Sequence, residues 1–183
     1  MADRDVTAAF DLAAKTGVAW GVPFQPPETA IWEIGDPEVG ERGLKLLRRA
    51  TRFVREIRPA RVFIEKPLEA HVASTIGTDP MTSLCLNGYV FVLIMVCQNE
   101  GVPWHLYERQ AVLRHFTGQG RYKLKNDAKK ACVLRCKQLG WGDLSFDEAD
   151  ACALKDKGDA SNNPTGWALA GVNQAVRLSR KRL

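Results

Sequence analysis

A chain of 183 residues with 45% hydrophobic content is long enough for one well-cored domain, expected over 1–183, and too short for two ordinary ones. The formal charge is only +5, but eight basic residues from Arg114 to Lys137 stand against Asp127 alone, which gives this stretch +7 and leaves the rest about −2; that focusing points to a polyanionic partner. Five cysteines without a C-x-x-C pair argue against a disulfide framework, no leader-like apolar run follows the charged N-terminus, and the apolar run Gly88–Cys97 is too short to span a bilayer, so a reducing cytoplasm and no membrane partner are expected.

Alternation and β-branching predict a strand over Val6–Asp11, a hairpin partner over Thr16–Val22 across a turn at Ala13, Ala14 and Lys15, and a third strand over Thr29–Ile34. Gly40–Ile57 carries Leu44, Leu46, Leu47, Ala50, Phe53, Val54 and Ile57 at helical spacing and is closed by Arg58-Pro59. Arg61–Glu65 is a short apolar run stopped by Lys66-Pro67, which marks a buried central strand. A loop is expected over His71–Asp79. Met81–Asn99 predicts a long helix, apolar around most of its circumference and therefore covered on two sides or used between subunits. A fifth strand over Val102–Tyr107 precedes helices at Gln110–Thr117, Asn126–Leu139 and Phe146–Lys155. Residues 158–164 read as a flexible link to a basic C-terminal helix over 165–183. The order βββαβαβα predicts an α/β fold, a five-stranded mixed sheet with helices on both faces. That is the strand order of the ribonuclease H fold.

Four carboxylates stand out against this pattern. Asp11 follows Ala8-Ala9-Phe10, and Glu65 follows Val62-Phe63-Ile64, where a purely structural sequence would continue apolar. A carboxylate in such a place costs free energy unless it is hydrogen-bonded or bound to a cation. Asp147 and Asp150 are spaced i,i+3 and share one helix face, while Glu148 points elsewhere. Asp147 also suits the N-terminal dipole of its helix, a role Asp150 does not fit. Ends of neighbouring central strands and one helix face can gather all four groups. Without a cation they would repel one another and shift each other's pKa values. Hard oxygen ligands suit Mg²⁺ or Mn²⁺, and two ions about 3.5–4 Å apart form the clamp used for in-line phosphodiester hydrolysis.

The stretch Phe10-Asp11-Leu12-Ala13-Ala14-Lys15-Thr16-Gly17-Val18-Ala19-Trp20 resembles the first hairpin of the RuvC-type Holliday-junction resolvases, members of the ribonuclease H-like superfamily. Ile64-Glu65-Lys66-Pro67 is similar to their second acidic element. Asp147-Glu148-Ala149-Asp150-Ala151 resembles their closing D-x-x-D-A helix, most of all that of phage-encoded members. Tyr107 through Gly120 matches the family stretch that ends in a T-G-x-G turn. The resemblance covers about residues 5–157. It implies a homodimeric, metal-dependent endonuclease that cuts four-way DNA junctions with two Mg²⁺ or Mn²⁺ ions per site, held by Asp11, Glu65, Asp147 and Asp150, in a bacterial or phage-infected cytoplasm. The chain departs from the pattern at Arg109, where the family has a proline, and at Lys123 and Lys125, which straddle the place of its lysine.

Gly118-Gln119-Gly120 fits a helix-ending turn, and beside Arg114, Arg121, Lys123, Lys125, Lys129 and Lys130 it also fits an edge that grips a DNA backbone. The basic residues Arg42 to Arg55 of the first helix suit DNA contact and solvated surface equally. Cys132 and Cys136 share a helix face without a further ligand at metal-binding spacing and are expected to be buried thiols. Of the three histidines, His71 is the best placed to touch a strand near the cut, with His105 and His115 expected at the surface. The surplus apolar surface of Met81–Asn99 suggests a dimer seam through Leu86, Tyr89, Val90, Leu93 and Ile94. Competing readings are a nuclease of the same fold acting on RNA or other branched DNA, and a non-catalytic nucleic-acid-binding module. The module is disfavoured because all four acidic positions are filled. A sugar-kinase or actin-like phosphotransferase would share the Asp-turn-Thr-Gly motif but needs a second copy of the domain.

Overall fold

The alternating stretches become an antiparallel meander of β1 (Thr7–Asp11), β2 (Lys15–Gly21) and β3 (Glu28–Glu33), and β4 (Arg61–Glu65) and β5 (Trp104–Tyr107) continue the sheet in parallel, in the order β3-β2-β1-β4-β5. The helices are α1 (Val39–Ile57), α2 (Pro80–Asn99), α3 (Arg109–Thr117), α4 (Lys125–Gln138) and α5 (Phe146–Asn162). The computed structural model describes residues 6–35, 38–68, 75 and 77–163, with Lys125 described by its backbone only. His71 and the C-terminal segment 165–183 lie outside the described residues. The five-stranded mixed sheet predicted from the sequence is present. β5 starts two residues later than expected, as Pro103 has no N–H to give to a ladder.

The period of two along each strand sorts the side chains into two cores. Ala8, Phe10, Val18, Val62 and Ile64 face α1 and α2, where Phe10, Trp20, Trp32 and Phe53 pack edge to face at 5.4–5.5 Å. Ala9, Ala19 and Phe63 face α3, α4 and α5. By the same alternation, Asp11 and Glu65 point to the side of Ala9 and Phe63, toward α5.

Small residues let α5 lie close to that face. Ala149, Ala151 and Ala153 are buried, and a Cβ on Gly158 would stand 2.3 Å from the Phe63 ring. Gly158 therefore serves packing inside the helix, and α5 runs through Asn162 where a link from residue 158 was expected. Its last turns hold a buried network. Lys155 Nζ donates to Asp159 Oδ2 at 2.7 Å, and Thr7 Oγ1 donates to Asp159 Oδ1 at 2.6 Å. At its start, Ser145 and Glu148 form a capping box, and Thr29 Oγ1 donates to Glu148 Oε1, so Glu148 turns away from the other two acids as expected.

α2 corrects the sequence reading twice. Its apolar run is longer than Gly88–Cys97: by length and composition the 20-residue helix is sufficient to cross a membrane, but here one face closes a core through Cys85, Tyr89, Val90, Leu93, Val96 and Cys97. Tyr89, Val90 and Leu93, expected at a dimer seam, are thus buried within their own chain, and Leu86 and Ile94 are half-buried against the same core. A helix apolar all round gives no periodic signal for which face turns inward. The exposed stripe is Met81, Leu84, Phe91 and Met95.

Candidate active site

Phe10 lies beside Ile64 in the parallel pairing of β1 and β4, so Asp11 and Glu65, the next residue on each strand, reach the same edge of the sheet side by side. Thr16, fully buried, donates its hydroxyl to the Ala13 carbonyl and closes the β1–β2 turn. Gly17 pairs with Asp11 in register, and its missing side chain admits the backbone of α5: a Cβ there would lie 2.0 Å from the carbonyl oxygen of Asp147. That close approach brings the first turns of α5 over the sheet edge. Asp150 is buried there, facing the carboxylates of β1 and β4.

Two cations stand among the acids. Arg109 Nη1 donates to Glu65 Oε2 at 3.1 Å and Nη2 to Asp150 Oδ2 at 3.2 Å. Lys129 Nζ donates to Asp147 Oδ1 at 2.9 Å and stands 4.0 Å from Asp150 Oδ2. The Asp11 side chain accepts no hydrogen bond from the described residues, although its backbone belongs to the β1–β2 ladder. Burial, with Glu65 and Asp150 adding their charges, pushes its carboxyl up to about 8, against the pull of Arg109 and Lys129. Burial also raises Glu65, although Arg109 opposes it. Burial works against the charge of Arg109, yet Glu65, Asp150 and Asp11 hold its guanidinium firmly protonated. The Cys132 thiol, buried and hydrogen-bonded to Asp150, is raised as well.

The side chains fit a divalent cation by chemistry. The acids offer only hard oxygens, and Asp11 is a half-buried carboxyl, crowded by Glu65 and Asp150, whose ionised form a cation would favour. In the arrangement observed, no three His, Cys, Asp or Glu side chains among the described residues already surround a common ion, and Arg109 and Lys129 supply the counter-charge instead.

The basic residues divide. Arg114, Arg121, Lys123 and Lys130 are exposed around the α3–α4 turn, where Gly118 ends α3 in the left-handed region at φ 79°, and Lys125 opens α4. Lys129, expected on that gripping edge, is turned inward to Asp147. On α1, Lys45, Arg48, Arg49 and Arg52 line a separate groove with Glu33 and Ile34, and Arg49 lies over the Trp32 ring. His115, expected at the surface, pairs with Asp156 at 2.8 Å, while His105 is exposed on β5. All five cysteines are free and buried.

The architecture matches solved resolvases. The Thermus thermophilus RuvC structure superposes with a TM-score of 0.64 at 15% identity, over 87% of this chain and 97% of that one. The fold is ribonuclease H-like. T. thermophilus RuvC in complex with a Holliday junction substrate matches at TM-score 0.63 and 13% identity, over 86% of this chain and 94% of the other. The yeast mitochondrial Holliday junction resolvase Ydc2 matches at 0.57 and 12%, over 97% and 84%. In sequence the chain is 30% identical over 139 residues to the crossover junction endodeoxyribonuclease RuvC of Corynebacterium glutamicum, which is 75% of this chain. It spans 54% of that relative's length. No family model matches the chain.

Proposed function

We propose that this chain is a metal-dependent endodeoxyribonuclease of the crossover-junction type that cuts four-way DNA junctions. The observation that carries this reading is the convergence of Asp11, Glu65 and Asp150, with Asp147 tied in through Lys129, at one edge of a ribonuclease H-like sheet. The similarity to RuvC in sequence and fold supports the substrate class; the D-x-x-D-A helix resembles that of phage-encoded members. Asp11, Glu65, Asp147 and Asp150 would hold Mg²⁺ or Mn²⁺, two ions per site, which supply Lewis-acid stabilisation to an in-line phosphodiester hydrolysis. Lys129, among the acids, is the lysine placed to orient Asp147 and to meet a phosphate oxygen. Arg114, Arg121, Lys123, Lys125 and Lys130, on α3, α4 and the turn between them, would hold the DNA backbone by charge.

A four-way junction has approximate two-fold symmetry, and a two-fold dimer with one site per subunit cuts two strands in a single encounter. The exposed stripe Met81, Leu84, Phe91 and Met95 gives α2 an apolar face for its own copy. The buried free thiols suit a reducing cytoplasm. The test is incubation in Mg²⁺ with a four-way junction, a plain duplex or an RNA/DNA hybrid, with light scattering for mass. Selective cutting of the junction by a dimer is expected. Preference for the hybrid would transfer the site to RNA, and a monomeric mass would remove the α2 seam.

A further inference from the structure

The carboxylate cluster carries a cation of its own on an adjoining element. β5 pairs with β4 so that Tyr107 lies beside Glu65, and two residues later Arg109 opens α3 at the rim of the site. Its guanidinium forks: Nη1 lies 3.3 and 3.1 Å from the two oxygens of Glu65, and Nη2 lies 3.2 Å from Asp150 Oδ2. A planar guanidinium bridges two carboxylates in this way, whereas an ammonium acts as a single point charge. The Arg109 side chain is 30% exposed, which leaves it a way out to solvent.

We propose that Arg109 is an internal latch, which holds Glu65 and Asp150 together while the site contains no divalent ion and must release them before ions bind. The inference rests on the reading of Asp11, Glu65, Asp147 and Asp150 as the metal site. A guanidinium wedged between two ligands repels a divalent ion arriving on the same oxygens, because like charges a few ångströms apart in a poorly solvated site interact strongly. Only the fraction of molecules with Arg109 released takes up metal, so the apparent affinity is reduced by that fraction. The same ion pairs offset the mutual repulsion of the acids and support the metal-free fold. Removing Arg109 therefore has opposite effects on metal-free stability and on metal affinity. A residue that merely shaped the site would weaken metal binding when lost.

The experiment is titration of the full chain with Mn²⁺ in the absence of DNA, read by calorimetry or by the spin resonance of free Mn²⁺, together with melting temperatures with and without Mn²⁺. Arg109→Gln should bind Mn²⁺ about tenfold more tightly, equivalent to about 1.4 kcal/mol. It should melt lower without metal and gain more from Mn²⁺. Arg109→Lys, which keeps the charge and loses the fork, should fall between Arg109→Gln and the wild type. Unchanged or weaker binding by Arg109→Gln overturns the latch. Wild-type binding by Arg109→Lys also overturns it, since a charge alone would then suffice. Asp11→Asn is titrated in parallel and should weaken Mn²⁺ binding; if it does not, it is the metal-site reading that falls.

Discussion

Gly17 offers a direct test of how the site is assembled. An alanine Cβ at this position would meet two backbone atoms of Asp147, the carbonyl oxygen at 2.0 Å and its carbon at 2.6 Å. No rotamer change relieves an overlap between backbones. The contact must open to an ordinary 3.4 Å, so the start of α5 shifts by more than 1 Å relative to β2, and it takes Asp147 and Asp150 with it. A misplacement of about 1 Å costs roughly a hundredfold in rate, and forcing a methyl group into a filled contact costs about 1–3 kcal/mol. Gly17→Ala should therefore lose about two orders of magnitude in Mg²⁺-dependent junction cutting, measured as initial rates, together with a lowered urea midpoint. Gly43→Ala is the control. Gly43 lies inside α1 with open space where its Cβ would stand, and alanine there should add about 0.5–1 kcal/mol without touching activity. A Gly17→Ala protein that cuts and melts like the wild type would refute the close approach of α5 to β2.

Asp11→Asn, Glu65→Gln and Asp150→Asn should each abolish cutting in Mg²⁺ and leave junction binding in a gel-shift assay intact, with Asp147→Asn milder; wild-type cleavage by Asp11→Asn would rule out its place in the metal site. Asp11 also sets a pH dependence. Burial pushes its carboxyl from the ordinary 3.8 up to about 8, so between those values the folded chain keeps a proton that the unfolded chain has lost. This group's contribution to stability accordingly falls as pH rises from about 4 to about 8. Urea midpoints across that range should fall less in Asp11→Asn than in the wild type, and parallel slopes would be evidence against the desolvated carboxylate. Replacing Arg121, Lys123 and Lys125 together by alanine should reduce the salt slope of junction binding by roughly 2.7, at about 0.9 per phosphate contact, and an unchanged slope would move the DNA elsewhere. Lys155→Met should cost about 3–5 kcal/mol in urea unfolding by leaving Asp159 buried without its counter-ion, and a near-neutral effect would mean that the pair is not buried.

The sheet and the four acids were legible because their signals are local. A carboxylate closing an apolar strand is anomalous wherever the chain goes next, as at Asp11 and Glu65, and i,i+3 spacing alone puts Asp147 and Asp150 on one helix face. What the sequence hid depends on distant partners. Arg109 reads as a break in a family pattern until β5 brings it beside Glu65, and its acceptors lie 44 and 41 residues away. Lys129 stands in a run of basic residues, and only the approach of α4 to α5 singles it out. Gly158 resembles a linker glycine because its reason, the Phe63 ring, lies on another element. The face of α2 was illegible for a different cause: its apolar residues are spread too evenly to mark an inside.

The pair formed by Lys155 and Asp159 also bears on where this folding unit can be divided. The sequence resemblance to RuvC-type resolvases fades near residue 157, which suggests a natural place to trim the chain. A cut there would keep Lys155 and discard Asp159, so that an ammonium group 3% exposed would lose its counter-ion and Thr7 its acceptor, and the glycine that seats Phe63 would be lost with it. The minimal autonomous folding unit therefore extends at least to Asn162, about one and a half helical turns beyond residue 157.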